Sequence, residues 1–113
     1  MNYDQNNIFA KIIRKEILVT VFYENEFAMS FKDINPKSKI HYLVIPKHYY
    51  VSWFDFQNNA SDNEILGFWN CVNQTVKNLN LTNGFRLICN NGPDSNQEVQ
   101  HLHLHILGGE NLS

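Results

Sequence analysis

The run His101-Leu102-His103-Leu104-His105-Ile106-Leu107 alternates imidazole with aliphatic side chains before closing on two apolar residues. In an extended strand, residues two apart share a face, so His101, His103 and His105 are expected on one side. Leu102, Leu104 and Ile106 then face the core on the other. Neighbouring rings stand about 6.5–7 Å apart along such a strand, so one phosphate can touch two of them while the third acts from behind. Imidazole titrates near neutrality, which lets one ring be an unprotonated nucleophile while another donates a proton. Two other readings compete. A histidine on a strand is commonly just packed or solvated, but here three of the chain's five histidines occupy one alternating run. Two histidines at i and i+2 can also ligate zinc, with His41 completing the set. The segment Asn90-Asn91-Gly92-Pro93-Asp94-Ser95-Asn96-Gln97-Glu98-Val99 favours phosphate, because a polar, turn-rich approach offers backbone N–H groups and side-chain amides to an anion.

Several elements must position these groups. Ile8, Phe9, Ile12 and Ile13 recur at helical spacing after Asn6-Asn7, which predicts a short helix. Ile17 to Tyr23 and Phe27 to Phe31 are rich in β-branched and aromatic residues about Glu24-Asn25-Glu26 and predict a hairpin. His41 to Ile45 reads as a strand that Pro46 ends, after a turn at Asp33-Ile34-Asn35-Pro36. Ser61-Asp62-Asn63-Glu64 has the form of a capping box, and Ile65, Trp69, Val72, Val76 and Leu79 follow as the stripe of one long helix. Gly67 within it reads as a defect of about 1 kcal/mol relative to Ala. Asn83-Gly84 is expected to close that helix, followed by strands at Phe85 to Asn90 and Val99 to Leu107. Strands without regular βαβ alternation predict the α+β class: a five-stranded antiparallel sheet with one long and one short helix.

The chain has 113 residues, 43% of them hydrophobic and 18% charged, which suits a single domain spanning residues 1–113 with its own core. Nine basic residues against eleven acidic ones leave a formal charge of −2, so no positive field holds nucleic acid or an anionic membrane. The longest stretch free of charged residues, Ile65 to Val76, is interrupted by Asn70, Asn73 and Gln74 and cannot span a bilayer. Met1-Asn2-Tyr3-Asp4 lacks the basic-then-apolar order of a secretory signal, and a cytoplasmic location is expected. Cys71 and Cys89 read as buried free thiols.

His101 to Leu107 resembles the His-φ-His-φ-His-φ-φ signature, φ being apolar, of the histidine triad (HIT) family of nucleotide hydrolases and transferases. Ile8-Phe9 with Lys11-Ile12-Ile13, Asp33 to Pro36, His41 to Lys47, Asn90 to Asp94 and Leu107-Gly108-Gly109 extend the likeness, and they look like the Hint branch of purine nucleoside phosphoramidases. The resemblance implies hydrolysis of purine nucleoside 5′-phosphoramidates or aminoacyl-adenylates, with AMP or GMP derivatives as ligands. His103 would attack the α-phosphorus and carry a nucleotidyl-histidine intermediate. His105 would contact phosphate oxygens, His101 would hold His103 through its backbone carbonyl, and His41 would complete the cluster. Asp33 would accept from the ribose hydroxyls, although as the residue before Asn35-Pro36 it can equally cap a turn. Ile8, Phe9, Phe31 and Ile34 would sandwich the base, with Phe31 and Ile34 also readable as core. Asn90, Gln97 and Val99 would line the phosphate site. Glu98 stands where the family often has Ser or Thr, and Ser95-Asn96 stands where a small Gly is frequent. No cofactor is implied as required; zinc binding is possible without being catalytic. The resemblance also implies a homodimer with a continuous sheet. The alternative is a noncatalytic module that binds a purine nucleotide or a partner protein.

Overall fold

The computed structural model describes residues 2–113; Met1, where the N-terminal reading above begins, lies outside them. In chain order the elements are α1 (Ile8–Ile13), β1 (Val21–Glu24), β2 (Ala28–Lys32), β3 (Ile40–Pro46), α2 (Trp53–Asn59), α3 (Asp62–Asn78), β4 (Phe85–Ile88) and β5 (Leu104–Gly108). The strands form one five-stranded antiparallel sheet in the order β1-β2-β3-β5-β4, the expected α+β class. A second short helix, α2, stands beside those read from periodicity; Ser52 caps it by accepting the Asp55 N–H at 3.2 Å.

Period-two alternation divides the sheet between two cores. Ala28, Val44, Leu102, Leu104 and Ile106 pack with Phe68, Cys71 and Val72 of α3 on one face. Met29, Phe31, Leu43 and Ile45 pack with Phe9 and Ile12 of α1 on the other. The histidines project to the α1 side, so the short helix flanks the site and the long one holds the sheet from behind.

The capping box at α3 forms as read. Ser61 Oγ accepts the Glu64 N–H at 3.2 Å and Glu64 Oε1 accepts the Ser61 N–H at 3.0 Å. Burial alone would raise the Glu64 pKa, but the Ser61 backbone, the Tyr50 hydroxyl and His48 outweigh it and hold the carboxyl at about 2.

Four local expectations are corrected. First, Ile65, Val72, Val76 and Leu79 of the expected stripe do pack against the core, beside buried Phe68, Cys71 and Thr75, but Trp69 is 41% exposed. Thr75 qualifies because its hydroxyl donates to the Cys71 carbonyl at 2.7 Å and is bonded to Ser30 Oγ at 2.8 Å. Second, α3 ends at Asn78, with Asn80 at φ 56° just beyond it, and Gly84 leads into β4 instead. Third, β1 starts at Val21: the chain reverses after α1 through Lys15 at φ 63°, with the Glu16 and Ile17 N–H groups returning to the Lys11 carbonyl. Fourth, β5 starts at Leu104, so His101 and His103 lie ahead of the ladder in extended chain. Its partner runs out of donors there, because β3 ends at Pro46, which has no N–H to give.

Gly67 is also not a defect. It is buried, and a Cβ built on it would stand 2.3 Å from Phe27 Cδ2 and 2.9 Å from Phe27 Cβ, while Asn25 Nδ2 donates to the Gly67 carbonyl at 2.8 Å. The absent side chain lets the β1–β2 turn seat against α3. Replacing Gly67 by Ala gains about 1 kcal/mol of helix propensity but overpacks this contact by about 1–3 kcal/mol. The expected net result in a denaturant titration of Gly67→Ala is a lower midpoint; a midpoint at or above the parent's would refute the packing role.

Candidate functional site

His101 and His103 are buried and His105 is half-buried at the edge of the α1-side core. The imidazoles of His103 and His105 lie 5.2 Å apart, and those of His41 and His105 5.1 Å apart, so the three rings form one cluster. His41 reaches it because β3 pairs with β5: Leu43 stands opposite His105, and His41, two residues away, shares its face.

Backbone partners assign the protons. His103 Nδ1 lies 2.7 Å from the His101 carbonyl, which only accepts, so Nδ1 carries the hydrogen and Nε2 keeps its lone pair in the neutral ring. Likewise His101 Nε2–H donates to the Pro46 carbonyl at 3.1 Å, and the Tyr3 hydroxyl donates to Nδ1 of the same ring. The Lys37 N–H donates to His41 Nδ1 at 3.0 Å, leaving His41 Nε2–H to donate to His105 Nδ1 at 2.9 Å. His105 therefore turns a donating Nε2–H to the open side. Burial lowers the pKa of all four rings. It takes His101 and His105 to about 4, with the neighbouring His103 and His41 adding to the shift at His105. At neutral pH the cluster is uncharged, with one nucleophilic nitrogen at His103 and one donor at His105.

Two cavities meet at these rings. One, of about 470 Å³, is mainly apolar and is lined by Ile8, Phe9, Phe31, Ile34 and Val99 together with Asp33, Glu98, His103 and His105. The other, of about 440 Å³, is polar and brings in His41, Asn90, Asn96 and Lys37 beside the same Asp33, Glu98, His103 and His105. The turn expectation for Asp33 holds, since Oδ1 accepts the Asn35 N–H at 2.8 Å, while Oδ2 stands 3.5 Å from His41 Nε2 and the residue lines both cavities. Phe31 is 4% exposed and belongs to the core as well as to the cavity wall, whereas Ile34 is 83% exposed and sits at the rim.

Two residues depart from their expected places. Gln97 lines neither cavity. Its Nε2 donates to the Val51 and Val99 carbonyls at 2.7 and 3.0 Å and its Oε1 accepts the Gly92 N–H at 2.9 Å, so the amide is spent on holding the loop. Val99 lines the apolar cavity instead of the polar one. Asn96, where the family often has Gly, adopts φ 58° and ψ 47°, a left-handed conformation that Asn tolerates better than most residues.

Residue-level reading of the sequence gave no sign of Tyr3, whose partner His101 is 98 positions away. Its ring stacks on Tyr49 at 4.6 Å, and Arg14 donates to the Tyr49 hydroxyl at 3.1 Å. No periodicity marks Tyr3 or Tyr49, and no local motif could have found them.

Asp33, His41 and His105 bring three donor atoms within 4.8 Å of one another, a set that allows zinc. The protonation pattern does not suit it as it stands. His41 Nε2 is the protonated nitrogen and lies at hydrogen-bond distance from His105 Nδ1. Freeing its lone pair would set an Nδ1–H against the Lys37 N–H.

The chain resembles a 14 kDa zinc-binding protein of Zea mays, 40% identical over 97% of this chain and 87% of that protein. Among solved structures it resembles a HIT family hydrolase from Clostridium thermocellum. That match has 34% identity and a TM-score of 0.88, over 97% of this chain and 96% of that one. It also resembles a histidine triad nucleotide-binding protein from Candida albicans, with 30% identity and a TM-score of 0.79 over 89% of this chain and 73% of that one. The HIT domain description matches residues 14–112, a span that begins just after α1 and takes in the whole cluster of imidazoles, and the chain belongs to the HIT domain family.

Proposed function

We propose that the protein hydrolyses purine nucleoside 5′-phosphoramidates or aminoacyl-adenylates through a nucleotidyl group carried on His103. The observation that carries this reading is the hydrogen bond from His103 Nδ1 to the His101 carbonyl, which leaves Nε2 with its lone pair at the junction of the two cavities. In the first step Nε2 attacks the α-phosphorus, an N–P bond forms, and the bond to the amine or acyl oxygen breaks. The leaving group departs with the electron pair, an amine taking its proton from solvent water. In the second step water attacks the same phosphorus, the N–P bond breaks, and the nucleoside monophosphate leaves with His103 neutral again.

The remaining residues divide the substrate between them. His105 Nε2–H donates to a phosphate oxygen, and Asp33, with acceptor capacity beyond its turn bond, takes the ribose hydroxyls. Ile8, Phe9, Phe31, Ile34 and Val99 enclose the purine, and Asn90 faces the phosphate from the polar side. His41 orients His105. The reaction as written uses no metal. The names of the resembling hydrolase and nucleotide-binding structures support the same class of ligand and chemistry.

We also propose a homodimer. Edge strand β4 exposes Phe85 (46%) and Leu87 (39%), and α3 exposes Leu66 (61%) and Trp69 (41%). An unpaired edge beside apolar side chains invites a second copy. Light scattering at micromolar concentration should give twice the chain mass; a monomer would remove this part of the reading.

Replacing His103 by Ala should lower turnover of an adenosine phosphoramidate by roughly 10⁴-fold or more while nucleotide binding persists. Equal rates in variant and parent would end the enzymatic reading and leave a binding module. The pH dependence follows from the lowered pKa of His103, whose neutral form is the nucleophile. Burial disfavours the protonated ring, so kcat/KM should stay level as pH falls to the ordinary imidazole value of about 6.5 and decline only below it. An acid limb centred above that value, measured on the same substrate, would contradict the buried-nucleophile assignment.

A further inference from the structure

The two cavities share Asp33, Glu98, His103 and His105, so a nucleotide seated with its base in the apolar one directs whatever its phosphate carries into the polar one. The charges in that second cavity are unusual for a place that would hold more phosphate. Its histidines are kept neutral by burial, and its charged lining is Asp33 and Glu98 against the single cation Lys37. Glu98 is exposed and lines both cavities. Gln97 is buried and pinned through three hydrogen bonds to Val51, Val99 and Gly92, which leaves the next side chain facing outward over the cavity. Among the described residues no ion pair engages the Glu98 carboxylate, and its charge is felt at His103.

We propose that Glu98 makes the polar cavity a subsite for leaving groups that carry a pendant positive charge, and closes it to leaving groups that carry a pendant phosphate or carboxylate. This deepens the proposed function and rests on it. The physical basis is an exposed carboxylate without an ion-pair partner, standing where the two cavities meet. There it attracts an ammonium and repels an anion by more than it would in bulk water. Within the two classes of substrate proposed above, aminoacyl-adenylates with their α-ammonium fit this subsite, as do phosphoramidates of diamines.

The test compares adenosine 5′-phosphoramidates of one amine scaffold carrying a pendant ammonium, methyl or carboxylate group, on the parent and on Glu98→Gln. In the parent, kcat/KM for the ammonium substrate should exceed that for the carboxylate substrate by about tenfold or more at low salt, and the ratio should shrink as salt is raised. Glu98→Gln should bring the ratio to within about twofold, with the methyl substrate as the reference for each protein. In parallel, calorimetry of AMP and ADP should show the parent preferring AMP and Glu98→Gln losing that preference. A parent that does not discriminate, or a preference that survives Glu98→Gln, overturns the charge subsite and leaves the hydrolase reading standing. No turnover of any substrate, with an AMP preference that Glu98→Gln abolishes, overturns the hydrolase reading and keeps the subsite. Absence of both turnover and preference overturns both.

Discussion

The site depends on a carbonyl that accepts a hydrogen bond and can do nothing else. The His101 carbonyl takes the Nδ1 proton of His103, and that single contact decides which nitrogen of the ring is nucleophilic. For the carbonyl to be available, residue 101 must lie outside the sheet ladder, and it does because β5 begins only at Leu104. Pro46 ends β3 without a donor, and its own carbonyl receives the imidazole hydrogen of His101 instead of a ladder N–H. A strand end that would otherwise leave backbone groups orphaned is thus spent on orienting two histidines, and among the described residues no buried side-chain polar atom lacks a partner.

Around this contact stands a shell of residues of which only Lys37 lines a cavity. Gln97 ties the loop before the histidines to Val51, just ahead of α2, while Phe54 of α2 donates its N–H to Asn91 at the loop's start. Tyr3 closes the far side of His101, steadied by its stack on Tyr49 and by Arg14. Lys37 acts through its backbone N–H, which sets the tautomer of His41 and, through it, that of His105. Tyr3 and Lys37 work by fixing where a proton sits on His101 and His41, and Gln97 by holding the loop. The same order explains why the cluster presents itself as a chain of hydrogen bonds more readily than as a metal cage.

Neutrality of the imidazoles has an energetic consequence for the fold. His101 and His105 have folded pKa values near 4, below the ordinary value of about 6.5, so the unfolded chain binds more protons between those limits. Their contribution to stability is complete above about pH 6.5 and is withdrawn as pH falls toward 4. This acid sensitivity is the counterpart of keeping the imidazole cluster uncharged at neutral pH.

Much of this was legible in the sequence because it depends on local periodicity. Alternation through His101 to Ile106 put the leucines in one core and the histidines on the other face; the capping box at Ser61 and the apolar spacing of α1 likewise needed only neighbours along the chain. The family signature added the roles of residues that periodicity alone cannot assign. What the sequence left undecided was settled by contacts between distant segments. The apolar stripe of α3 was legible except at Trp69, which is 41% exposed, while packing added Phe68, Cys71 and Thr75, whose hydroxyl meets Ser30. Gly67 looked like a weakness until Phe27 occupied the space that a side chain would need. Gln97 carried the right chemistry for an anion, yet three backbone groups brought up by folding claimed its amide first. The Tyr3 contact spans nearly the whole chain. Local pattern determines which face a side chain takes; which of its hydrogen-bonding atoms remain free is decided only when the segments it meets are packed against it.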